Sequence, residues 1–211
     1  MKIIPSARAL DHVDEIATAV KNGGLACIPL RGAYRILADA RSKDAITKLA
    51  QSKRRSHNRA ALVIVSDLAS AGEIVDGTAW PTTTRLAKKF WPGHLTLVLP
   101  PSKKLASPIA KLLARSTGHI GVRVSQDALT KHVVEAVGPV LASSANIEDK
   151  PGSGSAAVIK QKLDRSLDVW VDAGDIKADP PSTLVEIGPE AWRIIREGAI
   201  SRAEIEKALT K

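Results

Sequence analysis

Ala60-Ala61-Leu62-Val63-Ile64-Val65 is the longest strongly apolar run in the chain, and its reading decides the fold. Apolar character without alternation marks a strand buried on both faces, which suits a central position in a sheet better than an edge. Outward from it, residues 25–30 read as a second short buried strand. Residues 11–22 precede that strand as a helix, with Val13, Ile16, Ala17 and Val20 at helical spacing and Gly23-Gly24 supplying the left-handed turn that ends it. Ser42 caps a helix reaching Ser52, with Ala45, Ile46 and Leu49 as its apolar face. Downstream, helices are predicted over 68–75, 81–90, 105–113, 128–137 and 156–163, and strands over 95–99, 120–124, 140–142, 169–171, 183–187 and 192–195. Ser201-Arg202-Ala203-Glu204 has the capping-box spacing and opens a last helix over 202–209. Strands and helices interleave throughout, so the predicted class is α/β, or α+β with a mixed sheet. Pro and Gly after several strands put the expected chemistry on loops at strand ends.

The length of 211 residues fits one domain or at most two small ones, and no internal repeat, low-complexity tract or long linker divides it. A hydrophobic content of 44% with 25% charged residues is ordinary globular composition. The apolar run falls far short of the roughly 20 residues a membrane span needs, and Met1-Lys2-Ile3-Ile4-Pro5 has no apolar signal core, so a cytoplasmic location without membrane association is expected. Cys27 is the single cysteine and is expected to be a buried small hydrophobe; no Cys/His cluster has zinc spacing, so no metal ligands are assigned.

Net charge is +9 and uneven: residues 1–120 hold 19 Lys/Arg against 8 Asp/Glu, whereas 121–211 hold 12 against 14. Concentrated positive charge attracts polyanions and steers phosphate-bearing ligands, so nucleotides and RNA are both candidate partners. A solvated basic surface is the plainer reading of any single Lys pair. Aromatic residues make up only 3% of the chain, which does not support a base-stacking sheet for single-stranded RNA.

Four segments set polar or basic groups beside buried strands. Pro29-Leu30-Arg31-Gly32-Ala33-Tyr34-Arg35 follows the first strand and reads as a strand-to-loop turn, with Tyr34 packed in the core as its structural role. Lys53-Arg54-Arg55-Ser56-His57-Asn58-Arg59 holds four cations in seven residues. A helix dipole accounts for one or two of them at ~0.3–1 kcal/mol each, while Lys53, Arg55 and Arg59 on an irregular segment are placed to converge on a polyphosphate. Of the five histidines, His57 alone sits where a ligand contact is expected. Ser143-Ser144-Ala145-Asn146 follows the strand at 140–142 and offers donors to a phosphate or ribose; capping or a turn is the alternative. Gly121-Val122-Arg123-Val124 carries an Arg inside an apolar strand, which must grip a carboxylate in a cleft or pair with an internal Asp, because an unpaired buried charge is very costly.

Taken in order, these segments resemble the YrdC-like family, the threonylcarbamoyl-AMP synthases of tRNA modification. The family marks are a Pro-Thr-Asp-Thr-x-Tyr-Gly-Leu loop, Lys-x-Arg-Pro, Trp-Pro-Gly-x-x-Thr, Gly-Val-Arg, Ser-Ala-Asn, Pro-Ser-Thr and a late Arg-x-Gly. Here they correspond to residues 29–36, Lys53-Arg54-Arg55-Ser56, Trp91-Pro92-Gly93-His94-Leu95-Thr96, Gly121-Val122-Arg123, Ser144-Ala145-Asn146, Pro181-Ser182-Thr183 and Arg196-Glu197-Gly198. The resemblance implies a single domain over residues 1–211, a twisted mixed-sheet α/β domain with a large basic cavity. It implies a nucleotidyltransferase that turns L-threonine, bicarbonate and ATP, with Mg²⁺, into threonylcarbamoyl-AMP and pyrophosphate for the t6A37 modification of tRNA.

By the same resemblance, Lys53 and Arg55 are the catalytic cations. Lys53, Arg55, Arg59, Ser144, Asn146 and Arg196 bind the nucleotide, and Leu30, Gly32, Tyr34 and Arg123 line the site of threonine or another acceptor. The chain departs from the family most in its first loop, where Leu30 and Gly32 stand for the two threonines, Arg31 for the acid and Arg35 for the glycine. Ser56 replaces the Pro of the second motif, Glu148-Asp149 stand where Ser-Gly usually follows Ser-Ala-Asn, and Glu197 stands where Pro is usual. A divergent member with a changed amino-acid pocket is expected, similar in this to the YciO-like branch. Two other functions remain open: a non-catalytic protein binding double-stranded RNA, tRNA or rRNA, and a related adenylating enzyme with another small acceptor.

Overall fold

The computed structural model describes residues 1–30, 32–53, 60–145 and 155–210. In chain order its strands are β1 (Lys2–Pro5), β2 (Ala26–Leu30), β3 (Ala33–Asp39), β4 (Leu62–Val65), β5 (Leu95–Leu99), β6 (Ile120–Val124), β7 (Val140–Ser144), β8 (Val169–Asp172), β9 (Thr183–Ile187) and β10 (Trp192–Arg196). Its helices are α1 (Val13–Lys21), α2 (Lys43–Ser52), α3 (Leu68–Ala71), α4 (Pro81–Phe90), α5 (Ser107–Ala114), α6 (Ala128–Val137), α7 (Ala156–Leu163) and α8 (Arg202–Leu209). The fold is mixed α/β, as the alternation of elements predicts. Packing divides it into two compact units, Met1–Ser56 with Asp127–Asp179, and His57–Gln126 with Pro180–Lys211. The first carries 17 Lys/Arg against 14 Asp/Glu and the second 14 against 8. The positive excess along the first 120 residues is thus shared almost evenly between the two, and the acidic residues of 127–179 offset part of it in the first unit.

In the first unit the strands pair in the order β1-β8-β2-β3-β7. β1, β8 and β2 run parallel, and β3 is antiparallel to both its neighbours. Helix α1 buries Ile16, Ala17 and Val20 and packs on β2, β3 and α6. Helix α2 packs on β3 with Ala45, Ile46 and Leu49 buried, and the Ser42 hydroxyl accepts the Ala45 N–H at 3.2 Å to start it. The second unit pairs β4-β6-β5-β9-β10, with β4 parallel to β6, β5 antiparallel to β6 and parallel to β9, and β10 antiparallel to β9. Val63, Ile64 and Val65 in β4 are at most 1% exposed. Successive strand side chains point to opposite faces, so both faces of β4 are covered, as the unbroken apolar run requires.

Two strands are absent from the sequence expectation. β3 begins inside the segment read as a loop: Leu30 pairs with Ala33, so only positions 31 and 32 join β2 to β3, and Gly32 adopts φ +74°. Pro29, Arg31 and Arg35 mask a hairpin whose ladder runs from Leu30–Ala33 to Ala26–Leu37. β1 is four residues ending in Pro5, and it pairs with β8. The helix expected over 68–75 stops at Ala71, and Val75 instead bridges to Pro101.

Candidate functional site

Within the first unit, Lys53, the first residue of the basic segment, meets the Ser-rich strand end. Lys53 caps the C-terminus of α2, and its Nζ lies 3.4 Å from Ser143 Oγ and donates to the Ser144 carbonyl. Ser143 and Ser144 end β7, where they stand opposite Ile36 and Arg35 of β3. These contacts place the ammonium at the end of β7, beside a hydroxyl and a carbonyl oxygen. Beneath it Cys27 is fully buried on the central strand β2. Burial pushes the Cys27 thiol well above its ordinary pKa, and the neighbouring Lys53 charge offsets only part of that, so the thiol stays protonated and unreactive.

Tyr34 is 2% exposed and stacks on Trp170, with ring centroids 4.4 Å apart. Its hydroxyl donates to the Gly174 carbonyl at 2.9 Å and accepts the Ala173 N–H at 2.8 Å. Burial, helped by the carboxylates of Asp172 and Asp175, raises its pKa. Tyr34 is therefore a neutral phenol that ties the chain after β8 to the sheet. Leu30 is 5% exposed and, by the hairpin register, lies on the sheet face opposite to Tyr34. At Gly32 an added Cβ would stand 2.5 Å from the backbone nitrogen of Asp179. The hairpin tip thus presents no hydroxyl, and the segment 173–179 lies against it.

In the second unit, Arg123 of β6 is half-buried and its Nε donates to the Gly93 carbonyl at 2.6 Å. A main-chain carbonyl is thus one of its partners. The Gly93 N–H in turn donates to the Val124 carbonyl at 3.0 Å, and the Trp91 indole N–H to the Leu95 carbonyl at 2.8 Å, so the Trp-Pro-Gly turn is bound to the end of β6. Arg196, the last residue of β10, donates from Nη2 to the Ser182 carbonyl at 2.8 Å. The Ser182 hydroxyl is 2.9 Å from that of Thr96. Pro181-Ser182-Thr183 and Arg196-Glu197-Gly198 therefore form one connected group, and Glu197 accepts the Arg202 N–H at 3.1 Å where α8 begins.

Arg55, Arg59 and Asn146, with His57, lie outside the described residues. A surface groove of about 430 Å³ in the first unit is lined by Lys2, Asp14, Glu15, Thr18, Ala19 and Val169, none of them an expected site residue.

The model of the family described as telomere recombination, covering Sua5, YciO and YrdC, matches residues 18–198. The chain belongs to the Sua5/YciO/YrdC family. It is 25% identical over 199 residues to the threonylcarbamoyl-AMP synthase of Bacillus subtilis, covering 94% of this chain and 56% of that protein. The chain thus spans little more than half the length of that relative. Among solved structures, Pyrococcus abyssi Sua5 complexed with L-threonine matches at TM-score 0.83 and 22% identity, over 98% of this chain and 60% of that one. Escherichia coli YciO matches at TM-score 0.80 and 20% identity, over 97% and 98%. These likenesses establish the mixed α/β fold.

Three residues that the sequence reading quotes in its segments without a site role of their own also make contacts here. Ser143 reaches Lys53, and Thr96 and Ser182 join Arg196. Strand alternation is the signal that finds Ser143, because it puts Ser143 on the face of Ile36 and Ser144 on the face of Arg35. No such signal links Thr96 to Ser182, which are 86 positions apart. Among the described residues no group of three or more His, Cys, Asp or Glu is placed to hold a metal, and no helix is long and apolar enough to cross a membrane.

Proposed function

We propose that this chain is an adenylate-forming nucleotidyltransferase of the threonylcarbamoyl-AMP synthase type, supplying the group used in the t6A37 modification of tRNA. Its substrates are ATP as the magnesium complex, bicarbonate and L-threonine. The amine of threonine takes up bicarbonate with loss of water, giving a carbamate. A carbamate oxygen then attacks the α-phosphorus of ATP, the bond to the bridging oxygen breaks, and pyrophosphate leaves with that electron pair. The observation that carries this reading is the seating of Lys53 on Ser143 and Ser144, which unites the family's lysine motif with its Ser-Ala-Asn motif.

Charge accumulates on the transferring phosphate and on the leaving pyrophosphate. Fixed cations that need no reorganisation stabilise it most effectively. Lys53 and Arg55 serve the transferring phosphate, Ser144 and Asn146 hold the adenylate, and Arg59 and Arg196 take the phosphate tail. Arg123 presents its fork to the amino-acid carboxylate, with Nε anchored on Gly93. No residue is asked to form a covalent intermediate, in keeping with the protonated Cys27 and Tyr34.

The test is calorimetric titration with magnesium-ATP, followed by pyrophosphate release with bicarbonate and threonine together and singly. Release that requires all three substrates supports the reading. No ATP binding at millimolar concentration overturns it. A second reading, a different small amino acid as acceptor, is favoured by the hairpin tip, where Leu30 is buried and Gly32 has no room for a side chain. Sites that recognise a hydroxyl draw selectivity from bonding it, and neither residue offers a partner. Repeating the release assay across the amino acids separates the two readings.

A further inference from the structure

We infer that Thr183 is a positioning residue that fixes the Arg196 guanidinium. The inference rests on the proposed reading of Arg196 as a phosphate-facing group and goes beyond it by naming what holds that group in place. Thr183 opens β9 and is fully buried. Its Oγ1 accepts the N–H of Gly198 at 2.9 Å and of Ile200 at 3.1 Å, and it donates to the Ile200 carbonyl at 2.5 Å. One proton and two lone pairs are all that a hydroxyl has, so every hydrogen-bonding position of Thr183 is spent on the segment that leaves β10.

Arg196 is set from both sides. Before it, β10 slips register: Ile194 pairs with Val185 and Arg196 with Leu184, leaving Ile195 as an extra residue that is 48% exposed. A bulge of this kind bends a strand and re-aims the next side chain. After it, Thr183 holds Gly198 and Ile200 while the Ala199 N–H donates to the Pro181 carbonyl at 2.9 Å. Arg196 then returns its own Nη2 to the Ser182 carbonyl, and Ser182 is steadied by Thr96. The strand slip alone would leave the side chain free to swing with the following turn. The buried hydroxyl closes the circuit.

The test uses the full chain with Thr183→Val, Thr183→Ser, Arg196→Gln and the double variant Thr183→Val/Arg196→Gln. Folding is checked by circular dichroism, amide exchange is read at residues 198–200, and magnesium-ATP affinity by calorimetry. Thr183→Val is expected to speed exchange at Gly198 and Ile200 and to weaken ATP roughly 10- to 100-fold, the scale on which a small misplacement of a binding group acts. Thr183→Ser keeps the hydroxyl and is expected to restore both. In the Arg196→Gln background, Thr183→Val is expected to cost no further ATP affinity, because the group it positions is already gone.

Loss of ATP affinity in Arg196→Gln with none in Thr183→Val, or full additivity in the double variant, overturns the positioning role alone. Absence of ATP binding by the parent, or full binding by Arg196→Gln, overturns the nucleotide reading and this role with it. If Thr183→Val does not fold, Thr183→Ala carries the same measurements, and failure of both to fold assigns the hydroxyl to stability and overturns the inference.

Discussion

Gly32→Ala probes the junction between the β2–β3 hairpin and the segment 173–179. Two costs act at this position. Gly32 has φ +74°, where a Cβ approaches its own backbone carbonyl, at roughly 1–2 kcal/mol for a non-glycine residue. The new Cβ would also stand 2.5 Å from the Asp179 nitrogen and 2.9 Å from its Cβ, inside any tolerated separation. Forcing an extra carbon into such a contact costs a further ~1–3 kcal/mol through local shifts.

Gly23 separates the two costs, since it has φ +81° and open space where its Cβ would stand. Gly23→Ala is therefore expected to carry only the backbone cost, less the ~0.4–1 kcal/mol gained by stiffening the unfolded chain. Gly32→Ala should exceed it by the clash, which at about 2–4 °C per kcal/mol for a chain of this size is a difference of roughly 2–12 °C in Tm. Calorimetric melting of both variants with the parent gives the difference, and amide exchange in 173–179 shows whether the segment has lifted. Equal Tm losses in the two variants, with unchanged exchange, would refute the close approach. The same geometry means that threonine cannot be restored at position 32 without displacing Asp179.

Four further outcomes follow from particular contacts. Lys53→Ala is expected to weaken ATP by about 10- to 100-fold, as befits loss of a charge-assisted contact of roughly 1.5–3 kcal/mol, with Tm little changed; a large fall in Tm would show Lys53 to be structural. Tyr34→Phe keeps the stack on Trp170 but strands the Ala173 N–H and Gly174 carbonyl, and a stability loss of about 1–3 kcal/mol in urea is expected. Ser201→Ala removes the hydroxyl that accepts the Glu204 N–H at the start of α8 and should cost ~0.5–2 kcal/mol in the same assay.

The fourth concerns pH. Burial pushes the Asp168 carboxyl up, but the Lys48 ammonium at 2.8 Å and the Leu25 N–H at 2.8 Å outweigh it and hold its pKa below the ordinary carboxylate value. A depressed folded-state pKa gives stability that is present above the unfolded value and lost as pH falls through the folded one. The stability gap between the parent and Asp168→Asn is therefore expected to be wide at pH 7 and to narrow below pH ~4. A gap independent of pH would remove this account.

Local physics made most elements readable, and pairing made the rest opaque. The apolar run at residues 60–65 is β4 because burial on both faces leaves no polar alternation to mask it, and Ser201 with Glu204 forms the capping box that its spacing predicts. β3 was hidden because its first three residues, Ala33-Tyr34-Arg35, follow a Pro and a Gly closely enough to look like a turn. What makes them strand is the partner on either side, since Arg35 stands opposite Ile28 in β2 and Ser144 in β7. The meeting of Lys53 with Ser143 is likewise a tertiary fact, with 90 positions between them. Only the ordered set of motifs pointed to that neighbourhood. Tyr34 reads both as a core residue and as part of an acceptor site, and its stack on Trp170 and two hydrogen bonds bear out the first reading.

At three described positions where this chain departs from the family pattern, the replacement has a local task. Leu30 fills the core face of the hairpin, Gly32 admits the Asp179 backbone, and Glu197 caps the approach to α8. The cationic motifs behave differently. Lys53 donates to the Ser144 carbonyl and Arg196 to the Ser182 carbonyl, each at a strand end. Lys53 is half-buried and Arg196 exposed, so neither side chain contributes much to the core. On the proposed reading both groups face a bound polyphosphate, so affinity for ATP, more than stability, is the quantity their substitutions should move.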